Sequence, residues 1–103
     1  MVKSIKYNGN NESDKIRAIF ETMGYFYARF NEGKLPIIII PIRTKKFFNY
    51  ICDNYNLKYT SMLQIDVCDF ISNEIIICDT KTETSKTLLE LERKIKIEKL
   101  NGN

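Results

Sequence analysis

The chain has 103 residues, 44% hydrophobic and 28% charged, with a formal net charge of +3 and no histidine. That length holds one core and one domain, and burying roughly 60–70% of the unfolded surface is enough for it to fold alone. Without histidine there is no Ser-His or Cys-His nucleophile and no His-ligated zinc, while the mild positive charge permits a nucleic-acid partner without demanding one.

Cys52, Cys68 and Cys78 form an odd set with no C-x-x-C spacing, each within an apolar stretch. They read as reduced, buried thiols, which predicts a cytoplasmic protein. The longest apolar run, Pro36–Ile42, falls far short of the roughly 20 residues of a membrane helix. No long apolar segment follows Met1–Lys6, so neither a secretory signal nor a membrane partner is expected. Abundant Ile, Lys and Asn with no Trp is the composition of an AT-rich genome and points to a virus or mobile element.

In chain order, Val2–Tyr7 predicts a short edge strand closed by the Asn8-Gly9 turn. Acidic Glu12-Ser13-Asp14 then opens a helix with an apolar stripe at Ile16, Ile19, Phe20 and Met23. The stripe can run on through Tyr27 and Phe30. Ending it at Met23 uses Gly24 as a left-handed cap and leaves aromatic Tyr25–Phe30 as a strand. Asn31–Lys34 is then a hairpin turn into Leu35–Ile42, a strand buried on both faces with its prolines at the ends. Thr44 is placed to cap a helix whose apolar face is Phe47, Phe48, Ile51, Cys52 and Tyr55. Leu63–Val67 alternates as a half-buried strand, and Ser72-Asn73 turns the chain into a second buried strand, Glu74–Asp79. A helix over about Glu83–Arg93 and a period-two strand at Lys94–Glu98 complete the reading. The class is mixed α+β, a single domain over residues 1–103.

A two-residue turn at Ser72-Asn73 sets Asp66 opposite Asp79 and Gln64 opposite Lys81, all four on one side of a hairpin at 63–79. Facing carboxylates repel unless they share a proton or a cation. A hard divalent ion such as Mg²⁺ would suit them, with Lys81 placed to orient or deprotonate a water. The structural alternative is that Asp residues favour strand ends and turns, and that a one-residue slip in register separates the pair.

Ile65-Asp66-Val67 followed by Ile75-Ile76-Ile77-Cys78-Asp79-Thr80-Lys81 resembles the PD-(D/E)xK signature of restriction-endonuclease-like nucleases. The step from Asp66 to Asp79 is similar to that of the archaeal Holliday-junction resolvases. The resemblance implies an α-β-β-β-α-β core, with a central mixed sheet, the 63–79 hairpin and flanking helices. It implies Asp66 and Asp79 as metal ligands, Lys81 as catalytic lysine and Glu12 as an additional ligand. The activity implied is Mg²⁺- or Mn²⁺-dependent hydrolysis of phosphodiesters by a dimer, on duplex or branched DNA rather than RNA. Ile65 stands where that family has proline, the second acid is Asp rather than Glu, and residues 36–58 are an insertion the resolvases lack.

A second candidate is Arg43-Thr44-Lys45-Lys46 ahead of the middle helix. Cations at a helix N-terminus oppose its dipole, and a bound phosphate would resolve the conflict; a solvated basic turn is the plainer reading. The rival to catalysis is a small binding or inhibitor protein acting on a host protein or nucleic acid. A plain RNA- or DNA-binding module rests on the positive charge and the many Tyr and Phe residues.

Overall fold

Two isoleucine-rich strands organise the chain. Ile37–Pro41 (β2) and Glu74–Cys78 (β4) pair antiparallel, β2 is buried throughout, and β4 is buried from Ile75 onward. Strands apolar on both faces need cover above and below. Val2–Lys6 (β1) pairs antiparallel on the outside of β4, and Gln64–Cys68 (β3) pairs parallel on the outside of β2. The sheet order is β1-β4-β2-β3, with the half-exposed strands at its edges. Helices Glu12–Asn31 (α1), Ile42–Asn54 (α2) and Lys81–Asn101 (α3), with a 3-10 turn at Thr60–Met62, complete the described chain. The computed structural model describes residues 2–69 and 73–101, with backbone only at 99–101.

Alternation sends Ile5, Ile38, Ile40, Ile75 and Ile77 to one face, against Ile19, Met23 and Phe26 of α1 and Phe48, Ile51 and Cys52 of α2. Ile39, Ile76 and Cys78 face the other way and meet Leu88, Leu91 and Ile95 of α3. Each fully buried isoleucine contributes about 1.5–3 kcal/mol, so the central strands dominate the fold. No helix among the described residues is long and apolar enough to cross a membrane.

The mixed α+β class, the edge strand at the start and the two buried strands agree with the sequence reading. Four other expectations are corrected. Residues 25–30 are not a strand, because α1 runs unbroken through Gly24 to Asn31. Ile19, Met23 and Phe26 keep the helical spacing, and Arg29 falls on the same buried stripe. The helix stops instead at Gly33 (φ +82°), in the segment read as a hairpin turn. The Gly33 N–H donates to the Phe30 carbonyl and the Lys34 N–H to the Arg29 carbonyl, both at 3.0 Å, which is the Schellman pattern.

Residues 94–98 are likewise helical. Leu88, Leu91 and Ile95 recur at helical spacing on the face that covers the sheet, and this outweighs the period-two pattern. Thr44 lies inside α2, whose N-cap is Pro41. Most consequentially, β3 and β4 do not form the 63–79 hairpin, because β2 lies between them. Ser72, half of the expected turn, lies outside the described residues. The element order is β-α-β-α-β-β-α, where the resemblance implied α-β-β-β-α-β.

A methyl group at Gly24 would meet nothing within 4 Å. Gly24→Ala should therefore stabilise the protein by about 0.5–1 kcal/mol, the mid-helix penalty of glycine. Gly33→Ala should destabilise it by about 1–2 kcal/mol, the cost of a left-handed L-residue. Urea unfolding of both variants measures this; a destabilised Gly24→Ala protein would contradict a continuous α1.

Candidate functional site

Asp79 and Lys81 lie where β4 passes into α3. Thr80 caps the helix: its Oγ1 accepts the Glu83 N–H at 3.1 Å, and Glu83 Oε2 accepts the Asp79 N–H at 3.0 Å. This is a capping box reaching one residue further back than usual. The Asp79 side chain turns towards α1, where Oδ1 accepts a hydrogen bond from Arg29 Nε at 2.6 Å. Both side chains are largely buried, 6% exposed for Arg29 and 14% for Asp79. The Arg29 guanidinium lies 5.7 Å from the Tyr25 ring centre, and its Nη2 is buried without a hydrogen-bond partner among the described residues. Burial opposes the charge on Asp79, but the hydrogen bonds and positive charge around it, those of Arg29 included, hold its carboxyl below the usual carboxylate range.

Asp66 is elsewhere. On β3 it registers with Ile39 of β2, and two strand spacings, roughly 9–10 Å, separate β3 from β4. Ile65 packs on the α1/α2 side, so alternation turns Asp66 towards α3. Asp66 and Asp79 therefore point to opposite faces of the sheet and cannot share one ion. The facing pair is corrected: Asp79 answers a cation, not a second carboxylate. Glu12 opens α1, seventeen residues before Arg29, about 25 Å along the axis, and joins neither acid. Among the described residues no three Cys, Asp or Glu side chains come together as a metal-binding group. Asp66 and Lys81 do meet, lining a shallow cavity of about 240 Å³ with Gln64, Thr84 and Ser85.

The basic segment is better assembled. The α2 N-terminus carries no side-chain cap and no acid in its first turn. The Thr44 hydroxyl instead shares a buried 2.8 Å hydrogen bond with the Tyr7 hydroxyl. Burial raises the Tyr7 phenol above its ordinary pKa, so it stays neutral. Beside them is a polar cavity of about 160 Å³ lined by Tyr7, Gly9, Asn10, Lys15, Arg43, Thr44 and Asn73, with no carboxylate among these described residues. Arg43 Nη2 donates to Asn73 Oδ1 at 2.8 Å, and the Tyr7 N–H donates to the Asn73 carbonyl at 3.0 Å. Glycine at position 9 permits this approach, since a Cβ there would come within 2.8 Å of the Asn73 amide.

Of the four residues the sequence singled out here, Arg43 and Thr44 line the cavity, while half-buried Lys45 and exposed Lys46 lie outside its wall. Tyr7, Lys15 and Asn73 were missed, because three separate segments converge only once the chain is folded. Arg29 had a signal: on a continued α1 it occupies the buried stripe and needs an acidic partner.

Comparison with models of known protein families, with curated proteins and with solved structures finds no match to this chain.

Asp79→Asn should destabilise the protein by about 1–3 kcal/mol, between a surface pair and a fully buried one. Asp66→Asn, at an exposed site, should change stability by less than about 0.5 kcal/mol. Because the folded-state pKa of Asp79 is depressed, its contribution is present above the unfolded value near about 4 and fades as pH falls through the folded one. Unfolding curves of wild type and Asp79→Asn should therefore converge in acid. A gap that stays constant from neutral pH into acid would contradict the ion pair.

Proposed function

We propose that the protein is a non-catalytic binder of phosphate-bearing polyanions, nucleic acid above all, and that the cavity at the start of α2 takes a phosphate. The observation that carries this reading is a polar cavity lined by Lys15 and Arg43, with no carboxylate among its described lining residues, at a helix N-terminus whose N-cap, Pro41, offers no side-chain cap. The first turn of a helix leaves four N–H groups without intrahelical partners, and the dipole there favours an anion. Arg43, Lys45 and Lys46 near that end work against the dipole, a conflict a phosphate relieves. The Asn10 and Asn73 amides and the Tyr7 and Thr44 hydroxyls add neutral polar groups to the wall.

Replacing Lys15 and Arg43 together by Gln should weaken nucleic-acid binding. It should also flatten the dependence of log K on log salt by about 0.9 per lost contact on duplex DNA, or about 0.7 on a single strand. Fluorescence anisotropy across a salt series reads both quantities. A slope equal to that of wild type would remove the cavity from the interface, and a wild type that binds no nucleic acid would remove the reading.

One observation favours a second reading. Asp66 and Lys81 share a cavity with Gln64, Thr84 and Ser85, so a single-carboxylate site could hold Mg²⁺ or Mn²⁺ and a phosphodiester. On that reading wild type cleaves plasmid or four-way-junction DNA when either metal is added, and Asp66→Asn abolishes the cleavage. A wild type that leaves every substrate intact ends it.

A further inference from the structure

α2 buries Thr44, Phe48, Ile51 and Cys52. A flank of the helix carries Arg43, Lys46, Phe47 and Tyr50, spaced as positions i, i+3, i+4 and i+7 of one helical face. Arg43, Lys46 and Tyr50 are exposed, Tyr50 at 60%, and Phe47 is half-exposed. The Phe47 and Tyr50 ring centres are 6.5 Å apart with planes inclined by 31°. Lys15 of α1 sets its ammonium 5.4 Å from the Phe47 ring centre and also lines the phosphate cavity. The cavity thus opens at one end of a stripe on which cations lead into aromatic rings.

Single exposed rings are ordinary on a protein surface. Here two rings lie on one helical face, in line with Arg43 and Lys46 and next to a cavity with no carboxylate among its described lining residues. We infer that this stripe binds single-stranded nucleic acid, with a backbone phosphate in the α2 cavity and an unpaired base stacked on Tyr50. The inference rests on the phosphate-binding reading and names the strand state of its ligand. The charge complementarity is that of a polyanion, and the rings add what a polyanion alone does not use, a flat apolar platform. Every base has a π-face to offer such a platform. In a duplex those faces are covered by neighbouring base pairs, so Tyr50 can stack only on an unpaired base. Phe47, packed on the core on one side and held under Lys15 on the other, backs the platform rather than forming its outer surface.

The test is anisotropy of the full chain with labelled oligo-dT, oligo-rU and a duplex of equal length at one salt concentration. The expected result is tighter binding of the single strands than of the duplex, with the preference between dT and rU identifying the sugar. Tyr50→Ala should weaken single-strand binding about tenfold and leave duplex binding within about twofold, while Tyr50→Phe, which keeps the ring, should retain wild-type affinity. Because Tyr50 is exposed, its removal should leave the melting temperature unchanged, and that melt is the control for folding. If Tyr50→Ala binds single strands as wild type does, or the duplex binds more tightly, the stacking inference is overturned while phosphate binding stands. If wild type binds neither polymer, phosphate binding itself is overturned, and the stripe is left to a protein partner.

Discussion

The burial of β2 on both faces constrains everything else. Ile38 and Ile40 need cover from α1 and α2, and Ile39 needs cover from α3, so the strand can lie only inside the sheet. With β4 filling one side of it and β3 the other, β3 and β4 are held apart. That placement sets Asp66 and Asp79 on opposite faces and brings Lys81 round to the Asp66 side. It also fixes the start of α2, because Pro41 both ends β2 and occupies the N-cap position of the helix that follows. A basic helix N-terminus with a proline at its N-cap is thus a consequence of where the central strand stops.

The Arg29–Asp79 pair ties the far end of α1 to the junction between β4 and α3. Its attraction is bought at the expense of desolvating both groups, and a buried pair is at best weakly stabilising against an apolar replacement. Removing one partner is a different matter, since the other is left charged and buried. One function of the pair is positional: Thr80 and Glu83 fix the backbone of the junction, and Arg29 fixes the side chain that leaves it. Asp79 thereby belongs to the architecture of the junction.

Much of the fold was legible in the residues. Ile37–Ile40 and Ile75–Ile77 announced buried strands, and the alternation at 63–67 announced a half-buried one. Read together, those patterns already argue for β2 and β4 as the inner pair. The short connection between β3 and β4 pulled the reading towards a hairpin, because consecutive strands usually pair. Gly24 misled for a similar reason: a local cost of about 1 kcal/mol looked decisive beside a stripe whose burial outweighs it several times. Gly33, nine residues on, carries the positive φ that a helix stop requires. At the candidate site the sequence located Arg43 and the conflict with the helix dipole. It could not locate Lys15, Tyr7 or Asn73, whose proximity depends on the order of strands in the sheet. The stripe of Arg43, Lys46, Phe47 and Tyr50 was present as a spacing, but which side of α2 faces solvent is decided by packing against α1 and β2.

On the proposed reading, the ligand-binding surface lies at the start of α2 and not at the carboxylates. Chemical-shift mapping of the ¹⁵N-labelled protein, titrated with a short oligonucleotide in the absence of divalent metal, addresses it most directly. The amides of Tyr7, Lys15, Arg43, Thr44, Lys46 and Asn73 should move together and saturate together, while those of Asp66 and Lys81 stay in place. Shifts concentrated at Asp66, Lys81 and Thr84, with the first turn of α2 unmoved, would contradict it.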